Sequence, residues 1–85
     1  MKIVYFAWVR EKTGISEEIL EKLPDNVKTV ADLIEWQKLR GSGFTDAFSD
    51  PKVIRVAINQ EYSSQDHPIQ ANDEVAFFPP VTGGR

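Results

Sequence analysis

A chain of 85 residues with no cysteine and a formal charge of −3 is one small domain, cytoplasmic by default, that holds itself together without disulfides. Its ten Lys and Arg residues are scattered, which argues against nucleic acid or an anionic membrane as partner, since both demand a concentrated basic surface. No apolar run approaches the roughly 20 residues of a membrane span, and Met1-Lys2-Ile3 leads into a strand pattern without a secretory h-region.

In chain order, Lys2-Ile3-Val4-Tyr5-Phe6-Ala7-Trp8 is dense in β-branched and aromatic residues and reads as a central strand buried on both faces. Val9 to Thr13 is one or two helical turns closed by a left-handed Gly14. Glu17 to Leu23 reads as a second, half-exposed strand, broken by Pro24-Asp25-Asn26. Thr29-Val30-Ala31-Asp32 is a capping box that opens the main helix. Val30, Leu33 and Ile34 share one face, Trp36 lies at its margin, and Arg40-Gly41-Ser42-Gly43 supplies the stop. Phe44 to Pro51 is irregular, with Phe44, Ala47 and Phe48 spaced to fold one apolar turn onto the core. Val53 to Ile58 alternates, with Ile54, Val56 and Ile58 on one face, and Asn59-Gln60-Glu61 offers a hairpin turn in which Asn takes positive φ. Val75 to Phe78 is the last strand, ended by Pro79, which lacks the donor a ladder needs. Strands before and after one principal helix predict an α+β roll, a mixed sheet packed on that helix. Residues 1–78 form the domain and 79–85 an extended tail.

The usual catalytic constellations are absent: no P-loop, GxGxxG, HExxH or metal-spaced Cys and His cluster. His67, the one imidazole, sits between Asp66 and Pro68 and reads as a solvated turn residue. Glu17-Glu18 and Asp73-Glu74 are neighbours along strands, whose side chains point to opposite faces, so neither pair is an acid/base couple; both read as solvated. Trp8 and Trp36 read as core.

The tail is different. Phe77-Phe78-Pro79-Pro80-Val81-Thr82-Gly83-Gly84-Arg85 places two aromatics to anchor its root, two prolines to stiffen it, and two glycines whose backbone passes through a channel too narrow for any Cβ. Together with Asn72-Asp73-Glu74-Val75-Ala76 it resembles the ending of the MoaD family, the small subunit of molybdopterin synthase. The resemblance extends over the whole chain, through Lys2 to Ala7, Arg10-Glu11, Gly14, Thr29 to Leu33 and Arg55 to Tyr62.

That resemblance implies a ubiquitin-like β-grasp fold and a sulfur carrier in molybdenum cofactor biosynthesis, without catalytic side chains or a bound cofactor of its own. It implies that an ATP-dependent activating enzyme adenylates Gly84, that sulfur replaces the adenylate to give a thiocarboxylate, and that the large subunit uses it to convert a cyclic pyranopterin precursor into molybdopterin. By the same resemblance Phe77, Phe78, Pro79, Pro80, Val81, Thr82 and Gly83 meet the large subunit and, in turn, the activating enzyme. Arg85 departs from the pattern: it moves the carboxylate roughly 3.3–3.6 Å outward and adds a guanidinium. It is read as trimmed from a precursor, as an addition to the natural end, or as the mark of an inactive relative. A carrier for thiamine or tRNA thiolation, and a ubiquitin-like binding module whose terminus does no chemistry, are the alternatives.

Overall fold

The structure, a computed structural model, describes residues 1–80. Strand β1 (Lys2–Tyr5) alternates half-buried and buried residues, with Ile3 and Tyr5 facing inward. It is therefore buried fully on one face, not both, and it stops earlier than its apolar composition suggests. Ala7, at φ 54°, turns the chain out of the sheet and opens helix α1 (Ala7–Thr13). Gly14 closes that helix at φ 83°, its N–H donating to Arg10 O, as a left-handed cap should.

The second strand, β2 (Glu17–Ile19), is shorter than the run to Leu23 that the sequence suggests. Helix α2 (Val30–Gln37) begins at the predicted capping box, with Thr29 and Asp32 each bonding the other's backbone N–H. Its stop comes before Arg40-Gly41-Ser42-Gly43. Ser42 and Gly43 instead open a further helix, α3 (Ser42–Ala47). Gly43 acts as a packing residue rather than a breaker: a Cβ there would lie 2.3 Å from the Lys12 carbonyl oxygen, so only glycine lets α3 approach α1 so closely.

A short 3₁₀ turn (Pro51–Val53) leads into β3 (Arg55–Ile58). Asn59 and Gln60, at φ 52° and 72°, turn it back into β4 (Glu61–Ser63), the paired positive φ of a tight hairpin. The last strand, β5 (Glu74–Phe78), takes the middle of the sheet, whose order is β2-β1-β5-β3-β4. β1, expected at the centre, is its parallel neighbour, and β3 pairs with β5 antiparallel. This is the predicted mixed sheet of an α+β β-grasp roll.

One face of the sheet carries the core. Ile3, Tyr5, Val56, Ile58, Val75 and Phe77 pack against Val9 of α1, Val30, Leu33 and Ile34 of α2, Ala47 of α3 and Phe48 just beyond it. Phe44, Ala47 and Phe48 thus do form the predicted apolar turn. Trp8 and Trp36 are only half-buried and pack at the margin of the core. His67 is exposed, as its polar setting suggests.

Candidate functional site

Among the described residues, the other face of the sheet has no layer over it. Alternation sets its composition: in β5, Val75 and Phe77 are fully buried while Ala76 and Phe78 are half-exposed on the opposite side. Register then lines up neighbours across four strands, Val4 beside Ala76, Ala76 beside Ala57, and Ala57 beside Tyr62. Two alanines make a low floor, and Phe6, Tyr62 and Phe78 rise around it. The result is a shallow apolar trough of about 480 Å³ with Gln60 and Glu74 as its polar lining. Phe6 is 48% and Tyr62 81% exposed, so large aromatics stand where none of the described residues covers them. Tyr62 leans on Phe78, ring centroids 5.7 Å apart.

A second groove of about 600 Å³ runs beside the trough, shares Tyr62 and Phe78 with it, and ends at Pro80. The chain therefore leaves the domain at the border of its apolar face. A contiguous exposed patch of this kind marks a protein contact. Among the described residues it holds no imidazole or paired carboxylates beside the Ser63 and Ser64 hydroxyls to activate them.

The root of this exit is fixed from behind. Phe77 stacks on Tyr5 with centroids 6.2 Å apart and meets Phe48 edge-on at 5.0 Å. Its carbonyl accepts the Phe6 N–H at 3.0 Å. The Tyr5 hydroxyl donates to Glu18 Oε1 at 2.6 Å and accepts from Gln37 Nε2 at 2.7 Å. Arg40 grips both oxygens of Glu18, at 2.5 and 2.8 Å, and lies over the rings of Phe44 and Trp36. Burial, reinforced by the Glu18 carboxylate, pushes the Tyr5 hydroxyl well above its ordinary pKa. The Arg40 guanidinium holds Glu18 below the usual carboxylate range.

The sequence-predicted site residues therefore separate. Phe78, Pro79 and Pro80 are half-exposed, Phe78 lining both the trough and its neighbouring groove and Pro80 the groove. Phe77, expected to meet a partner, is a core residue with no exposed surface; strand alternation turns its ring the other way from Phe78. Val81, Thr82, Gly83, Gly84 and Arg85 lie outside the described residues. Glu17 and Glu18, read together as solvated, also part: Glu17 is exposed, whereas Glu18 joins the inner network. Sequence reasoning did not single out Val4, Phe6, Ala57, Tyr62 and Ala76. Their signal was present in the alanines that interrupt otherwise bulky strands, since a small residue there leaves room for another surface.

Comparison with known proteins gives one consistent picture. The ThiS family model matches residues 3–84. The molybdopterin synthase sulfur carrier subunit of Escherichia coli is 40% identical over 99% of both chains. That of Dictyostelium discoideum is 40% identical over 98% of this chain and 94% of its own. Among solved structures, the putative molybdopterin converting factor, subunit 1, from Pyrococcus furiosus superposes with a TM-score of 0.72 at 35% identity, covering 94% of this chain and 95% of that one.

Proposed function

The chain belongs to the ThiS family, and from its full-length likeness to molybdopterin synthase sulfur carrier subunits we infer that it is a sulfur carrier in molybdenum cofactor biosynthesis, the small subunit of a molybdopterin synthase. It is not an enzyme alone; catalysis resides on the large subunit. One observation carries the reading at the level of structure: β5 runs from the buried Phe77 through the half-exposed Phe78 to Pro79-Pro80 at the border of an uncovered apolar trough. A partner that covers the trough also meets the root of the tail.

In this reading the large subunit covers Val4, Phe6, Ala57, Tyr62, Ala76 and Phe78, and receives Val81, Thr82, Gly83 and Gly84 in a narrow channel. A free α-carboxylate, with a pKa of about 3.3–3.7, is an anion at neutral pH and a poor electrophile. Gly84 therefore needs a leaving group, which an ATP-dependent activating enzyme supplies as adenylate; ATP is bound there and not by the carrier. Sulfur displaces AMP to leave the thiocarboxylate, which then gives its sulfur to the pyranopterin precursor in the large subunit. A chain without cysteine has no thiol, so its backbone terminus is the place for the sulfur.

The test compares chains ending at Gly84 and at Arg85, each incubated with activating enzyme, ATP and a sulfur donor and read by intact mass. The expected result is oxygen-for-sulfur replacement only in the chain ending at Gly84. Equal conversion of the intact Arg85 chain would overturn this account of the tail. Conversion of neither, while a related carrier is converted alongside, would overturn the sulfur-carrier reading.

A further inference from the structure

A second surface lies at the edge of the sheet formed by β2, the far edge from β4. Tyr5 N–H donates to Ser16 O and Leu20 N–H to Met1 O, each at 2.8 Å. The Met1 ammonium donates to Leu20 O at 2.7 Å. Residues 16, 18 and 20 thus turn their main-chain groups toward β1, and the alternation of an antiparallel ladder turns those of Glu17 and Ile19 outward. Among the described residues these outward N–H and C=O groups have no partner. The Ile19 side chain is 66% exposed.

At the end of this edge lies a groove of about 600 Å³ between the segment that follows β2 and Trp36 of α2, walled by Ile19, Leu20, Leu23 and Trp36 and lined also by Glu21, Lys22 and Asp25. An open edge next to an apolar groove is a template for one more strand, and natural sheets guard such edges with charge. Here the guard is mostly acidic. Glu17 has only a loose ion pair with Lys2, at 3.8 Å, and Lys22 is the one cation lining the groove. A second copy of β2 laid antiparallel with Ile19 facing its counterpart would set Glu17 of each copy opposite Glu21 of the other, so self-pairing in that register is disfavoured. A basic strand meets the opposite situation.

We propose that the β2 edge and the groove beside Trp36 dock an extended, basic segment of another protein. The segment adds a strand through the main chain of Glu17 and Ile19, sets an apolar side chain between Leu23 and Trp36, and pairs its flanking cations with Glu17, Glu21 and Asp25. Main-chain bonds give such a contact affinity and the groove gives it selectivity. The site shares no residue with the trough and meets the network behind the tail root only at Trp36, so it does not depend on the sulfur-carrier reading.

The test uses the full chain, ¹⁵N-labelled, titrated with three synthetic peptides: a Val-Ile-Val core flanked by paired lysines, the same core flanked by paired glutamates, and the lysine peptide with its central Ile replaced by Pro. The expected result is saturable shifts of the Glu17, Ile19 and Leu23 amides and the Trp36 indole with the lysine peptide. Binding of the glutamate peptide should be weaker by about tenfold or more at low salt, and the proline peptide should not bind. Ile19→Pro removes an outward donor and no bond to β1, so it should abolish binding while the β3 and β5 amides stay in place. Ile19→Lys, which keeps the main chain, should weaken the lysine peptide by charge alone and decides the matter should the proline variant unfold. Shifts centred on Val4, Ala57 and Ala76, equal binding of lysine and glutamate peptides, or no saturable shift at millimolar peptide would each overturn the proposal.

Discussion

Phe77 and Phe78 are adjacent and chemically identical, and the structure predicts opposite consequences for replacing them with alanine. Phe77 has no exposed surface and touches Tyr5 and Phe48 in close aromatic pairs. Removing a buried Phe ring costs about 3–5 kcal/mol. A domain of 85 residues has a total stability of about 4–13 kcal/mol at the usual value per residue. Phe77→Ala should therefore lose from about a quarter of that stability to all of it, with a urea midpoint far below that of the parent. Phe78 is half-exposed and leans on Tyr62, so Phe78→Ala should cost about 1 kcal/mol or less of stability. As a central aromatic of the trough it should cost about 2 kcal/mol of binding to the large subunit, roughly a thirtyfold rise in Kd. Urea denaturation of both variants and calorimetric titration of Phe78→Ala with the large subunit make the comparison. Equal loss of stability in the two variants, or unchanged affinity in Phe78→Ala, would refute the division between anchor and docking surface.

Two further predictions concern the support behind that surface. Gly43→Ala forces a methyl to within 2.3 Å of the Lys12 carbonyl oxygen, an overlap that should cost about 1–3 kcal/mol and lower the Tm by about 4 °C or more in a thermal scan; an unchanged Tm would mean that α1 and α3 are not in close contact. Glu18 is held below its ordinary pKa by Arg40, so its contribution is fully present above about pH 4.3 and is lost as pH falls through the folded-state value. Urea midpoints of the parent and Glu18→Gln should accordingly differ near neutrality and converge in acid, whereas parallel curves would contradict the role of the ion pair.

Much of this architecture was legible in the sequence because its signals are local. The capping box at Thr29 and Asp32, the left-handed Gly14, the Asn59 turn and the stop at Pro79 each express the chemistry of a few adjacent atoms, and each stands where it was read. The misreadings came from features whose meaning depends on distant residues. Phe6-Ala7-Trp8 continues an apolar run, but Ala7 is where the chain must leave the sheet to cover it with α1. Gly43 has the composition of a helix stop, and only the carbonyl of Lys12, from another helix, makes it a point of close approach. Glu18 has the composition of a solvated carboxylate until Arg40, Gln37 and Tyr5 surround it. For the site, the root of the tail at Phe78, Pro79 and Pro80 was legible in the run of aromatics and prolines, whereas the trough was not: its floor and rim come from four strands brought together by register.

Register is also what separates support from function in β5. A slip of one residue would exchange the faces of all its side chains, placing Phe77 in the trough and Phe78 in the core and changing the direction in which Pro79 leaves. The fold guards against this at the start of the strand and again at its end. Asn59 N–H donates to Glu74 O at 2.8 Å, and Glu74 N–H returns a bond to Asn59 Oδ1 at 3.0 Å. Lys2 N–H reaches Asp73 O at 3.0 Å, and Phe6 N–H closes on Phe77 O at 3.0 Å. The side-chain amide of Asn59 can satisfy Glu74 only in this register, and the positive φ that the hairpin demands of Asn59 is the conformation that residue tolerates well. One asparagine thus turns β3 into β4 and sets the start of β5, the strand whose last residues carry the tail. Asn59→Ala should then weaken partner binding more than its modest loss of stability explains, a difference that titration of the folded variant with the large subunit would reveal.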